Sequence, residues 1–134
     1  MRTSKIILAF CLVFLLASCA TTADFPVSEM VPAAEISLKV KEDKNENYKI
    51  SIKAKHLASP ERLATPASYY VVWLDTYDGY KNVGQLRLKN AKKASLETLS
   101  PYEFQEILIT AEQTGDAAYP QGEVIARSSF ISKE

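Results

Sequence analysis

Two neighbouring segments of the chain carry an apolar side chain at every second position. Residues 35–41 read EISLKVK and residues 48–55 read YKISIKAK. This alternation is typical of a β-strand that buries one face. The polar residues 42–47, EDKNEN, are turn formers, so the pattern predicts a hairpin.

A third segment, residues 68–76 (SYYVVWLDT), is apolar at both its odd-numbered and its even-numbered positions, that is, at both parities. That pattern predicts a central strand covered on both faces. We expect Trp73, the only tryptophan, to be buried on this strand and to fill the space between two sheets, with a partner for its N–H.

Four more strands are predicted at residues 83–88, 94–99, 106–112 and 123–130, separated by segments rich in Gly, Pro, Asn, Asp and Ser. The total of about seven short antiparallel strands predicts an all-β, Ig-like sandwich. We place this domain at residues 35–134.

The N-terminus has the pattern of an export signal. Arg2 and Lys5 precede an uncharged apolar run at residues 6–17. As a helix this run is about 18 Å long, too short for a hydrocarbon core of roughly 30 Å. Small residues follow it, so residues 1–18 are predicted to be a signal peptide.

The residues Leu16-Ala17-Ser18-Cys19 resemble the lipobox of bacterial lipoproteins. The resemblance implies a diacylglyceryl group on the Cys19 thiol, cleavage before Cys19, and a membrane as partner. Because Ala20 rather than Asp follows, it also implies the outer membrane, facing the periplasm. The alternative is an ordinary secretory signal with a chance cysteine.

Residues 19–34 are expected to be the lipidated N-terminus and a flexible tether, because they include two prolines and no sustained period. A flexible segment of this length spans roughly 20 Å. Cys11 would leave with the signal peptide and Cys19 would be acylated, so neither a disulfide nor a thiolate metal site is expected.

Residues 68–126 contain five short motifs: YVVWL, DG, NVGQL, ILITAE and YPQGEVI. This series resembles the extracytoplasmic domain of anti-sigma-K-type factors, which implies an Ig-like sandwich. We find no counterpart in the sequence of that family's sigma-binding part or transmembrane helix. The resemblance therefore implies a fold and no sigma-inhibiting function.

Charge adds two expectations. Without Arg2 and Lys5, 14 basic and 16 acidic residues remain, a near-neutral balance that gives no reason to expect a nucleic-acid partner. The lysines of the predicted hairpin alternate with apolar residues, and we interpret them first as protection of an edge strand and second as contacts to anionic lipid headgroups. They are Lys39, Lys41, Lys49, Lys53 and Lys55.

Three tyrosines in predicted loops, Tyr77, Tyr80 and Tyr102, should converge on one end of the sandwich. Exposed tyrosines offer a large contact area at low entropic cost, so this end is the candidate binding site. The alternative is that each ring caps the core. Residues 75–79 (DTYDG) lack calcium-loop spacing and predict a hairpin turn instead.

Candidate catalytic and metal-binding residues are few. His56, the single histidine, has no nearby Cys or second His and is interpreted as a solvated strand-end residue rather than a ligand. Glycoside hydrolysis needs two carboxyl groups about 5 to 10 Å apart. The acids considered for it are Glu97, Glu103, Glu106 and Glu112, which we expect to be solvated.

The sequence thus predicts a lipid-anchored envelope protein that acts as a non-enzymatic binding or accessory module. It requires no metal and no cofactor, and its expected partner is an envelope protein. One alternative is a small envelope hydrolase with paired carboxylates. The other is a structural component that joins an envelope assembly by strand addition.

Overall fold

Nine strands form two antiparallel sheets in the computed structural model, which describes residues 20–90 and 93–129. The five-stranded sheet contains, in spatial order, β1 (Ala20–Asp24), β2 (Glu35–Glu42), β3 (Tyr48–Lys55), β7 (Lys93–Ser100) and β6 (Arg87–Asn90). The four-stranded sheet contains β5 (Gly79–Gln85), β4 (Tyr69–Thr76), β8 (Glu106–Glu112) and β9 (Glu123–Ser129).

The strand order is that of an immunoglobulin-type sandwich. The order β2-β3-β7-β6 corresponds to strands ABED, and β5-β4-β8-β9 corresponds to C′CFG. The predicted all-β sandwich is therefore confirmed. Among the described residues the helix is a single 3₁₀ turn at Pro60–Arg62, and no helix there could cross a membrane.

The alternating strands build the core as predicted. The apolar side chains at alternate positions of β2 and β3 point inward and are almost fully buried. They pack against the inward side chains of β4 and β8, which also occupy alternate positions. Each aliphatic side chain buried in this way contributes about 1.5–3 kcal/mol. The main inward residues are Leu38, Val40, Ile50, Ile52, Val72, Leu74, Ile107 and Ile109.

Trp73 is fully buried, as predicted, but it does not lie between the sheets. Val72 and Leu74 of β4 fill that space, while Trp73 points to the opposite side of the four-stranded sheet. There it packs with Leu108 beneath Ala117. Both parities of β4 are apolar, so the sequence pattern could not assign the inner one.

Residues 20–34 differ from the expected flexible tether. Residues 20–24 form β1, with Thr22 opposite Lys39, and Phe25 and Val31 are buried in the core. Without β1, strand β2 would be an edge with unpaired backbone groups, and β1 satisfies them. The signal peptide and Cys19 lie outside the described residues.

The strand predicted at residues 83–88 is divided between the two sheets. It begins at Gly79 as β5, leaves the four-stranded sheet at Leu86, and continues in the other sheet as β6. The Leu86 N–H donates to the Tyr70 carbonyl oxygen at 2.9 Å at the crossing. The predicted hairpin turn is present, with Thr76 opposite Gly79 and Gly79 at φ 101°, a value that favours glycine.

The long connection between β3 and β4 is fastened to the core by Tyr70. Its hydroxyl donates to the Ala58 carbonyl oxygen at 2.6 Å. Burial raises the pKa of Tyr70 to about 12, and the Glu61 carboxylate adds to the shift. His56 begins this connection as an exposed strand-end residue, as predicted.

Candidate functional site

The connections at residues 43–47, 77–78 and 101–105 lie at the same end of the sandwich, which we call the tyrosine end. In the five-stranded sheet Tyr48 pairs with Ser100 at this end. The Tyr48 and Phe104 rings pack edge to face with their centroids 5.6 Å apart. The Gln105 N–H donates to the Asp75 carbonyl oxygen, which joins this connection to the end of β4.

The three candidate tyrosines all lie at the tyrosine end, and each is exposed. Relative exposure is 103% for Tyr77, 37% for Tyr80 and 45% for Tyr102, so the alternative of core-capping rings does not fit Tyr77. Tyr80 lies in β5, opposite Asp75, rather than in a loop as expected. The Lys81 Nζ lies 5.4 Å from the Tyr102 ring centroid, a cation–π contact that spans β5 and the 101–105 connection.

Residues 113–122 fold over the outer side of the four-stranded sheet, which we call the covered face. The Asn82 amide donates to the carbonyl oxygens of Gly115 at 3.0 Å and Ala117 at 3.1 Å. At the other end of the segment the Glu112 carboxylate accepts the backbone N–H groups of Gln121 and Gly122. These bonds hold the segment over the indole of Trp73.

Glu112 is a buried carboxylate, 3% exposed, and not the solvated acid that the sequence suggested. The Trp73 Nε1–H donates to Thr110 Oγ1 at 2.8 Å, and the Thr110 hydroxyl donates in turn to Glu112. Glu112 shares the parity of Leu108 and Thr110 in β8. Because Glu106 lies at the other end of the same row of side chains, the pattern of β8 gave no signal that would have identified Glu112 as buried.

The four acids considered for catalysis are distributed over two strands and one connection. Glu106 and Glu112 stand six residues apart on one strand, about 20 Å, which is too far to act on one glycosidic bond. Glu106 is also paired with Arg127, with an N···O distance of 2.8 Å. Glu97 belongs to the five-stranded sheet, and Glu103 is exposed in the 101–105 connection.

The outer side of the five-stranded sheet is strongly cationic, and we call it the lysine face. It presents seven exposed basic side chains and three acidic ones, although basic and acidic residues balance over the whole chain. The near-neutral balance of the whole chain is therefore not distributed evenly over the surface. The basic residues are Lys39, Lys41, Lys49, Lys53, Lys55, Lys93 and Arg87; the acidic ones are Asp24, Glu35 and Glu97.

Edge protection does not explain these lysines. Strands β2 and β3 are interior strands, since β1 and β6 form the edges of the five-stranded sheet. A shallow groove of about 540 Å³ crosses the lysine face. Its polar lining consists of lysines 39, 41, 49 and 53, the hydroxyl groups of Thr22, Ser37 and Ser51, and the carboxylates of Asp24 and Glu97. From sequence, headgroup contact is only the second interpretation of these lysines, because β1 is not recognised and β2 therefore reads as an edge strand.

Within residues 20–90 and 93–129, no three His, Cys, Asp or Glu side chains are grouped so that they could hold a metal ion. Comparison of the chain with protein-family models, curated proteins and solved structures found no match.

Proposed function

We propose that this chain is a lipid-anchored envelope protein that acts as a non-enzymatic binding or accessory module. The observation that carries the proposal is the lipobox-like Leu16-Ala17-Ser18-Cys19 immediately before a sandwich that begins at Ala20. Two or three acyl chains on Cys19 would anchor the protein firmly where a single chain would not. Ala20, in place of Asp, supports the periplasmic side of the outer membrane.

The tyrosine end supports a binding role. Exposed aromatic rings on a rigid sandwich bind partners with little loss of side-chain entropy. The separation of Glu106 from Glu112 speaks against the hydrolase alternative. We therefore assign the tyrosine end to an envelope protein partner and assign no catalytic residue, metal or cofactor.

Metabolic labelling with palmitate tests the anchor. Wild type should incorporate label, Cys19→Ala should incorporate none, and Cys11→Ala should label as wild type does because Cys11 lies inside the signal segment. Equal labelling of the Cys19→Ala variant would refute the anchor. Density separation of the membranes then tests the location, and recovery only from the inner membrane would overturn the outer-membrane assignment.

Affinity purification from detergent-extracted native envelope tests the binding role. Wild type should retain a partner that the double variant Tyr77→Ala/Tyr102→Ala loses. Tyr119→Ala is the matched control, because Tyr119 is exposed in the covering segment at a distance from the tyrosine end. Recovery of wild type as a lone monomer would contradict the proposal.

Strand addition is a second candidate, and strand β1 favours it. β1 is an edge strand of five residues that carries neither lysine nor proline, the usual protection against pairing with another chain. A partner bound in this way should remain bound to Tyr77→Ala/Tyr102→Ala. The affinity purification therefore separates the two candidates.

A further inference from the structure

The lysine face places like charges directly opposite one another. Lys41 pairs with Lys49 across β2 and β3, and Lys55 pairs with Lys93 across β3 and β7. Directly opposed like charges, with Cβ atoms about 5 Å apart, destabilise a sheet. None of these lysines has a carboxylate oxygen within 4.0 Å, since the ion pair found among the described residues joins Arg127 to Glu106. The requirements of folding do not explain this arrangement, whereas an anionic partner would favour it.

Covalent geometry places the proposed lipid beside this face. Ala20 lies in β1 opposite Lys41, and Lys49 is the next residue across the sheet. Because consecutive Cα atoms are about 3.8 Å apart, an acylated Cys19 enters the bilayer within a few ångströms of Ala20. The spacer expected between lipid and domain is instead part of a sheet, so the sandwich must rest at the headgroup layer.

We propose that the lysine face lies flat on the anionic phosphate headgroups of the membrane in which Cys19 is anchored. The anchor itself is taken from the proposed function. In this orientation Lys41 and Lys49 meet the headgroup phosphates first, and Leu99, which pairs with Lys49 and is 58% exposed, adds apolar contact. Each lysine near an anionic surface strengthens the partitioning of a protein onto the membrane by roughly fivefold.

The charges at the tyrosine end favour this flat orientation over an end-on one. Its connections and the adjoining strand ends carry several carboxylates, which an end-on orientation would press against anionic headgroups. The connections carry the acids Asp43, Glu46, Asp78 and Glu103 against the single lysine Lys44, and Glu42 lies beside Lys41 at the end of β2. The tyrosine end is thus left at the side of the docked domain, where a protein partner can reach it.

Vesicle flotation tests whether the lysine face binds anionic lipid. The mature chain carries Cys19→Ser, so acyl chains contribute nothing to the binding. Vesicles of phosphatidylcholine alone are compared with vesicles that contain equal parts of phosphatidylcholine and phosphatidylglycerol. We expect binding only to the anionic vesicles. The binding should weaken as the salt concentration rises, because the Debye length falls from about 10 Å at 0.1 M to about 3 Å at 1 M.

The variants locate the binding on the lysine face. Lys41→Glu/Lys49→Glu should reduce partitioning about 30-fold or more. The matched control Arg62→Glu/Arg127→Glu changes the net charge equally, but its residues lie on the 3₁₀ turn and on β9, away from the lysine face. Its binding should stay within about twofold of wild type. Circular dichroism checks that each variant is folded.

The proposal would be overturned if the two double variants lost vesicle binding equally, or if wild type bound neutral and anionic vesicles equally. Soluble polyphosphate is the probe for a free phosphate ligand, and binding to it without binding to anionic vesicles would also overturn the proposal. The palmitate experiment is independent of all three. A chain that binds anionic vesicles through this face but takes no palmitate would refute the anchor alone. A chain that takes palmitate but ignores anionic vesicles without its lipid would refute the face alone.

Discussion

The outer sides of the two sheets are built in opposite ways. On the covered face a loop segment excludes water from Trp73, and the buried polar groups beneath it are bonded to one another. On the lysine face the side chains are exposed, and opposed lysines repel each other. The covered face therefore contributes to stability, whereas the opposed lysines of the lysine face reduce it, which is why we propose an anionic partner for that face.

The largest expected effect comes from Trp73→Ala on the covered face. Removing a fully buried indole also removes the donor to Thr110, and truncation of a buried aromatic typically destabilises by 3–5 kcal/mol. That is about a third or more of the stability of a domain of this size. Urea unfolding of the mature chain, followed by circular dichroism, measures the change in the free energy of unfolding.

Tyr77→Ala is the control for Trp73→Ala. Tyr77 is an aromatic residue with a fully exposed side chain, so its removal should change the free energy of unfolding by less than about 1 kcal/mol. Tryptophan emission of wild type should be blue-shifted and poorly quenched by iodide. Emission like that of indole in water, with full quenching, would contradict the closure of the covered face.

The next largest effect is expected from Glu112→Ala. The substitution leaves the Gln121 and Gly122 N–H groups and the Thr110 hydroxyl without their acceptor, and each such buried group costs about 1–3 kcal/mol. We expect a total loss of roughly 2–3 kcal/mol, because part of the segment can turn toward water. Glu112→Gln keeps one acceptor oxygen and should lose about half as much.

A smaller effect, about 1–2 kcal/mol, is expected from Asn82→Ala, which frees the other end of the covering segment. Asn82 also accepts the Gly84 N–H at 3.0 Å, so Asn82→Asp separates the two functions. The carboxylate can still accept that N–H but repels the carbonyl oxygens of Gly115 and Ala117. Both variants should therefore increase iodide quenching of Trp73, and unchanged quenching would show that the segment closes without Asn82.

Part of the fold can be predicted from sequence because the alternation of apolar and polar residues indicates strands and their buried sides directly. In β2 and β3 the inward positions are mainly apolar and the outward ones are Lys, Ser or Glu, so the strands and their inward faces could be predicted. In β4 both parities are apolar, and the side that receives Trp73 depends on which face the distant residues 113–122 cover. No local pattern contains that information.

The candidate sites follow the same rule. The convergence of Tyr77 and Tyr102 could be predicted because it depends only on counting reversals of the chain. For the lysine face, the shared side of the hairpin lysines could be predicted, but their place inside a sheet could not, because β1 reads as an irregular Ala/Thr segment and is a strand only through its pairing with β2. Without β1, lysines 39 and 41 lie on an apparent edge strand and read as edge protection. With β1 they lie on an interior strand, and edge protection no longer explains them.

The smallest expected effect has the opposite sign, and it comes from Lys49→Glu on the lysine face. The substitution replaces the repulsion between Lys41 and residue 49 with an attraction across β2 and β3, so it should stabilise the fold by about 0.2–1 kcal/mol. Lys53→Glu is the matched control: Lys53 pairs with Ser37 and Ser95, so its substitution should leave the free energy of unfolding nearly unchanged. Urea midpoints at low and high salt measure the difference, which should shrink as salt screens the pair.

If Lys49→Glu destabilised the fold as much as Glu112→Ala, the two outer faces would not differ in the way described. If it stabilised the fold while weakening binding to anionic vesicles, Lys49 would be a residue retained for the membrane at the expense of the sheet.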